Sequence, residues 1–195
     1  MKRVYSYVNS HPFLTLAFTF ILSLIVSALS EILIFQLRRI SLKIFIIPLG
    51  IVMGVGLTFI VLVLGLKLSD IKIKPRYIFT ATLAGTGAFV LEYLTEFFWL
   101  LTHRNDYKGF ELANFTLLSV YQVFHPLYLP SYLNYPLQTI NLWEVINLFI
   151  IIYFLIKAAP GTSKRKLAKT VMLSYCSGVF AYFLLVTFIN ITLMT

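Results

Sequence analysis

Two glutamates stand in an apolar run, FVLEYLTEFFWLLTH, at a spacing that places both on one face of a helix. Glu92 and Glu96 are four residues apart, and His103 continues the same face. Four residues of helix rise about 6 Å, so the two carboxylates could interact. A protonated carboxyl could donate a hydrogen bond or take part in proton movement. Carboxylates are costly in hydrocarbon, so both are candidate functional residues.

A second polar stripe recurs at three-residue steps further along the chain, at Gln138, Asn141, Glu144 and Asn147. Another glutamate, Glu31, ends a seam of serines in the first apolar run. We expect these runs to face one another, which predicts an intramembrane polar cluster of Glu31, Glu92, Glu96, Asn141, Glu144 and Asn147. Such residues either line an ion route or pair with one another and fix the register of the helices. The sequence leaves both alternatives open.

Metal binding and catalysis find little support in these residue types. Glu92, Glu96 and His103 offer oxygen and nitrogen ligands for a divalent ion, but the sequence has no HExxH motif, so we predict no metal site. The sequence also lacks GxSxG, a P-loop and GxGxxG, and Cys176 has no basic neighbour. We therefore predict no catalytic residue and no cofactor, and we do not expect an enzyme.

Long apolar helices must position these residues. Of the 195 residues, 59% are hydrophobic and 12% are charged, which is about half the charged share of a soluble domain. Segments of about 20 apolar residues can span a bilayer, and they predict an all-α integral membrane protein, one domain over 1–195, with five transmembrane helices. The predicted spans are 12–37, 44–66, 77–102, 137–156 and 170–195.

One connector, residues 103–136, is much longer than the others. Its part 110–124 is apolar with interspersed polar residues, which predicts an amphipathic helix in the membrane interface. The following stretch, HPLYLPSYLNYP (125–136), contains three prolines, which interrupt helices, and three tyrosines, which favour the headgroup zone. We expect the connector to be interfacial or re-entrant, and the sequence does not decide between the two.

The lysines and arginines predict an orientation. Eleven lie at the N-terminus and in the connectors after spans two and four, and five lie in the other two connectors. Positive charge marks the cytoplasmic side, so we expect a cytoplasmic N-terminus and an outside C-terminus in the bacterial inner membrane. The net charge of +9 then follows from topology and anionic headgroups, and nucleic acid is not an expected partner.

Gly50 and Gly54 form a small-xxx-small pattern in the second span. Such glycines let helix backbones approach closely in a membrane. They predict close helix packing, either within this chain or with another membrane protein or a second copy.

Three stretches together carry a resemblance to a known family. They are INLWEVINLFIIIYFLIKAAPGTSKRKLAKTVMLSY (140–175), IPLGIVMGVGLTFIVLVLGLKL (47–68) and HPFLTLAF (11–18). With Leu142-Trp143 and the turn from Ser163 to Lys169, the chain resembles bacterial relatives of the Yip (Ypt-interacting protein) family. The resemblance implies five spans and a scaffolding or membrane-organising role. The acidic Asp-Leu-Tyr-Gly-Pro stretch and long N-terminus of eukaryotic members are missing, so no Rab-type partner is implied.

These observations predict a non-catalytic multi-pass membrane protein that acts as a scaffold or as a subunit of a membrane complex. Its expected partners are membrane lipids and other membrane proteins or copies of itself. The alternative is a small proton or cation permease, or a channel subunit, that uses the intramembrane glutamates.

Overall fold

The structure, a computed structural model, describes residues 2–30, 45–103, 116–124 and 133–194. Within these ranges the chain is helical, and the only β-type pairing is one antiparallel bridge between Ser119 and Asn141. The helices in chain order are α1 (Lys2–Ser10), α2 (Pro12–Leu29), α3 (Ile46–Leu68), α4 (Pro75–His103), α5 (Val120–Phe124), α6 (Asn134–Thr139), α7 (Leu142–Ala158) and α8 (Lys164–Met194).

Four of the helices are long and apolar enough to cross a membrane. They are α2, α3 from Ile47, α4, and α8 as far as Ile189. The predicted all-helical class is therefore confirmed for the described residues, and these four helices are compatible with the predicted membrane protein. The predicted span 137–156 differs, because α6 ends at Thr139, Ile140 is extended, and α7 begins only at Leu142. The segment 31–37 of the first predicted span lies outside the described residues.

The helices α3, α4, α7 and α8 share one apolar core, and α2 packs against α3 and α4. The core side chains with no exposed surface come from all four of these helices: Leu62, Ala81, Ile151, Leu155, Leu167 and Val171. The helix α7 runs antiparallel to α4, because Asn141 contacts Glu92 while the later Ile151 lies against the earlier Gly85. The helix α8 runs antiparallel to α3 in the same way, with Ser174 against Gly65 and Gly178 against Val61. The connectors 67–76 and 157–169 therefore meet at the same end of the bundle.

Charge is divided between the two ends of the bundle. From Lys67 onward, every lysine and arginine within the described ranges lies in the connectors 67–76 and 157–169 or in the helix turns next to them, which together define the basic end. The described glutamates, Glu92, Glu96 and Glu144, all lie toward the opposite end. The lysines and arginines that predicted the orientation from their positions in the sequence are thus also grouped at one end of the bundle.

A separate first helix, α1, was not predicted. Proline disfavours helical geometry in the residue before it and favours the first turn of a helix. His11 therefore separates the two helices, and α2 begins at Pro12. The last turn of α1 is held to α4, because Arg76 Nη2 donates to the carbonyl oxygen of Asn9 at 2.5 Å. Val8 is buried in a small cluster with Val55 and Leu83.

The close helix contacts use glycines other than those predicted. A Cβ added to Gly50 or Gly54 would meet no atom within 4 Å. By contrast, Gly65 of α3 lies against Ser174 of α8, and a Cβ on Gly178 would lie 3.0 Å from Val61. Within the described residues, Gly50 and Gly54 therefore face away from the other helices.

Candidate functional site

The predicted polar side chains gather where the start of α7 lies against α4. Asn141 Nδ2 donates a hydrogen bond to Glu92 Oε1 at 2.8 Å, and Asn141 Oδ1 accepts one from the backbone N–H of Glu144 at 2.9 Å. Glu92 is only 4% exposed. One asparagine therefore binds a buried carboxyl of α4 and fixes the first turn of α7.

Local sequence explains why α7 starts here. Asn141 is extended and caps the helix with its side chain, a role that asparagine performs well because its oxygen reaches the free N–H groups of the first turn. Glu144 lies three residues on, where a carboxylate is favoured by the helix dipole. The spacing Asn-Leu-Trp-Glu is thus a helix-start signal, although it also fits the polar stripe that lies within the span predicted to begin at residue 137.

Tyr175 links the cluster to α8. Its hydroxyl donates to Glu144 Oε2 and accepts from Asn147 Nδ2 at 2.5 Å. Both Tyr175 and Asn147 are buried. Tyr175 was not predicted as a member of the cluster. The available signal was its position well inside an apolar helix, because a buried tyrosine hydroxyl usually requires a hydrogen-bond partner.

Glu96 binds the connector between α4 and α7. Its Oε1 accepts a hydrogen bond from the backbone N–H of Leu117 at 2.8 Å. The same segment pairs with the residues before α7, since the N–H of Val120 donates to the carbonyl of Ile140 at 2.9 Å. Segment 116–124 is therefore fastened both to α4 and to the start of α7.

The predicted amphipathic helix at 110–124 is only partly described. Helix is present from Val120 to Phe124; Tyr121 within it and Ser119 just before it are buried. Segment 116–124 thus packs into the bundle rather than presenting a continuous open face, because its backbone is paired with Glu96 and Ile140. Residues 104–115 and 125–132 lie outside the described ranges, as do the interfacial and re-entrant alternatives that depend on them.

The other candidate residues are placed as follows. Glu31 lies outside the described residues. His103 stacks on Trp99, with ring centroids 4.2 Å apart, and seven residues of helix, about 10 Å, separate it from Glu96. Among the residues that the structure describes, no group of three or more His, Cys, Asp or Glu side chains could hold a metal ion. Cys176 is a free, exposed thiol.

The arrangement forms one connected set of hydrogen bonds across three helices. It runs from Glu92 through Asn141 and Glu144 to Tyr175 and Asn147. Each described glutamate has at least one partner within the chain, and these partners come from α8, the start of α7 and the connector before it. Chemically, the cluster can hold helices and connector together, and its carboxyl groups are also of the type found in proton relays.

Replacing Glu96 with alanine is expected to loosen segment 116–124. A buried N–H that loses its partner costs about 1–3 kcal/mol, so the Leu117 anchor would open about fivefold or more often. The measurement is the reaction rate of a maleimide with a cysteine at Ser119, which is 1% exposed, in a Cys176→Ser background.

The matched control is Thr95→Ala, because among the described residues the Thr95 hydroxyl bonds to the Leu91 carbonyl of its own helix and to no other helix. This control should leave the maleimide rate unchanged. An equal rate in Glu96→Ala and in the unsubstituted Glu96 background would show that Glu96 does not hold the segment.

Comparisons of the chain with models of protein families, with curated proteins and with solved structures found no match.

Proposed function

We propose that this chain is a five-span, non-catalytic membrane protein that serves as a scaffold or as a subunit of a membrane complex, the role implied by its resemblance to Yip-family relatives. The observation that carries the proposal is that Glu92, Glu96 and Glu144 each bond to a group of this same chain. Intramembrane carboxyl groups that hydrogen-bond within their own chain hold its helices and connectors together.

In this proposal α7 is the additional span. It has 17 residues, about 25 Å of helix, against about 30 Å for a typical hydrocarbon core. It lies along α4 from the basic end to the level of Glu92, which is itself about 25 Å along α4 from Pro75. The segment 116–124 packs at the start of α7 and would complete its passage through that leaflet.

The orientation in the proposal follows the basic end. Lysines and arginines are retained on the cytoplasmic side, so the connectors 67–76 and 157–169 and the N-terminus would be cytoplasmic, and the glutamate cluster would lie toward the outer leaflet of the bacterial inner membrane. The exposed apolar faces, including that of Gly50 and Gly54, would contact lipid, a second copy or other membrane proteins.

A layer of apolar side chains favours a structural role for the polar cluster over a complete ion route. Beyond Asn147 and Tyr175 toward the basic end come the buried side chains of Ile151, Leu155 and Val171. Apolar side chains offer neither a proton acceptor nor a cation ligand. The buried hydroxyls of Thr82 and Thr86 on α4 donate to carbonyls of their own helix, so the hydrogen-bonded set that joins the helices ends about halfway along the bundle.

A proton or cation permease is the second candidate, because hydrogen bonds connect Glu92 to Asn147, with one link through the backbone N–H of Glu144. It would need a conformation in which the apolar layer parts. The two candidates make opposite predictions for one substitution.

Glu92→Gln is expected to leave assembly and ion leak unchanged, because glutamine keeps an oxygen that can accept from Asn141. Glu92→Leu removes that acceptor and is expected to cost about 1–3 kcal/mol of unfolding free energy. The measurements are the mass and composition of the particle extracted in mild detergent, and proton flux into proteoliposomes with a trapped pH-sensitive dye.

A particle of defined stoichiometry that contains other membrane proteins, with no flux above empty vesicles, is the expected result. A lone monomer or homodimer whose proton flux is abolished by Glu92→Gln would establish the permease instead.

A further inference from the structure

The conformation of the connector between α3 and α4 is fixed by backbone hydrogen bonds and by packing. Asp70, in the left-handed region at φ 53°, closes α3, and the N–H of Ile71 donates to the Leu66 carbonyl at 2.9 Å. This is the pattern of a Schellman cap, in which the residue after the left-handed one packs back on the helix. Ile71 and Leu66 are both buried in the core, so the connector is anchored.

The residues that follow alternate in their environment. Ile71 and Ile73 pack in or against the core, while Lys72 and Lys74 are exposed. Together with Lys67 from the last turn of α3, these lysines line a cleft of about 590 Å³. Its remaining walls are apolar apart from Asp70.

This combination restricts what can occupy the cleft. The cleft is lined by three lysines and one aspartate, so its net positive charge attracts an anion. An ammonium group binds phosphate well as a point charge. The apolar walls, with Val63 and Ile73 among them, remain unfavourably hydrated when the occupant is a small anion. An occupant that carries both an anionic headgroup and a hydrocarbon chain satisfies both parts.

We infer that the cleft is a binding site for one anionic glycerophospholipid, with its phosphate at Lys67, Lys72 and Lys74 and the start of an acyl chain along the apolar wall. The inference rests on the proposed function only in placing the basic end at the membrane–water boundary. It differs from general attraction of a basic surface to anionic lipid, because it assigns a single lipid to a folded connector.

The second basic connector provides the matched control. Lys164, Arg165 and Lys166 are exposed in the first turn of α8 and do not line the cleft. Diffuse attraction would depend on both groups of charges equally, whereas a site depends on Lys72 and Lys74. Removing two of the eleven positive charges on this side leaves nine against five, so the topology signal persists.

The experiment titrates the full chain, in a nonionic detergent, with dioleoyl phosphatidylglycerol or dioleoyl phosphatidylcholine and counts bound lipids by native mass spectrometry. We expect one phosphatidylglycerol bound in preference to phosphatidylcholine. Each lysine near anionic lipid is worth about a fivefold change in affinity, so Lys72→Gln with Lys74→Gln should weaken binding about 25-fold. Lys164→Gln with Lys166→Gln should leave it unchanged.

Asp70→Asn adds a variant whose expected effect is a gain. Asparagine tolerates the left-handed conformation, and the change removes the negative charge from the cleft, so phosphatidylglycerol should bind several-fold more tightly. This outcome is not produced by a loss of folding.

Three results would overturn the inference: no preference for phosphatidylglycerol, equal weakening by the two lysine pairs, or displacement of the lipid by glycerol phosphate at equal concentration. The last would show a site for a soluble anion. None of them would change the particle composition or the flux by which the proposed function is judged, so the two proposals fail separately.

Discussion

Replacing Gly85 with valine is expected to destabilise the bundle by about 2–3 kcal/mol, in the range of overpacked cores. A Cβ at this position would lie 2.8 Å from Ile151 Cγ1 and 3.1 Å from the carbonyl oxygen of Asn147, and it would overlap Asn147 Oδ1. The carbonyl belongs to the backbone of α7 and cannot rotate away. The two helices must therefore separate, which weakens the dispersion contacts that hold helices together in a membrane.

The measurement is the free energy of unfolding in mixed micelles of mild detergent and SDS, followed by circular dichroism. Gly87→Val is the control, because a Cβ at Gly87, two residues along the same helix, would meet no atom within 4 Å. We expect the control to change stability by less than about 1 kcal/mol. Equal losses at both positions would assign the effect to helix propensity and not to the contact between α4 and α7.

Hydropathy predicted the long helices well because length and apolar content decide whether a segment can span a bilayer. The start and end of α3 and of α4 lie within two residues of the predicted spans. The start of α7 differs because an N-cap is a local signal that hydropathy averages away. Asn141, read as one member of a stripe, is the residue that ends the preceding segment and begins the helix.

The polar cluster shows the same division between what one helix face determines and what tertiary contacts determine. Spacing placed Glu92 and Glu96 on one face, and the structure places partners against both. The partner of Glu96 is a backbone N–H at Leu117, and every residue except proline carries such a group, so no sequence pattern indicates it. Tyr175 is separated from Glu144 by thirty-one positions, a contact that only the packing of α7 on α8 creates.

The glycines illustrate why a motif does not locate a contact. Gly50 and Gly54 match the packing pattern but have no neighbour within 4 Å of an added Cβ in the described residues. Among the glycines of the described ranges, Gly65, Gly85 and Gly178 are those at which helices approach most closely. Which face of a helix turns inward depends on all the residues around it, and the small-xxx-small spacing describes only two of them.

Removing the Tyr175 hydroxyl is expected to be the second severe change. In Tyr175→Phe, Glu144 loses a donor and Asn147 loses an acceptor, while the ring still fills its place in the core. A buried polar group left unpaired costs about 1–3 kcal/mol, so two such groups give an expected loss of about 2–6 kcal/mol. Tyr7→Phe, at a side chain that is 53% exposed, should change the unfolding free energy by less than about 0.5 kcal/mol.

A double-mutant cycle separates the hydrogen bond from other effects of the substitution. If Tyr175 acts through Glu144, then Tyr175→Phe should cost less in a Glu144→Leu background, by a coupling energy of about 1–2 kcal/mol. The physical reason is that leucine has no carboxyl group, so removing the Tyr175 hydroxyl leaves no unpaired carboxyl at position 144. If the two losses add without coupling, the Tyr175 hydroxyl does not stabilise the bundle through Glu144. A hydrogen bond between α7 and α8 would then not explain why these polar residues occur in apolar helices.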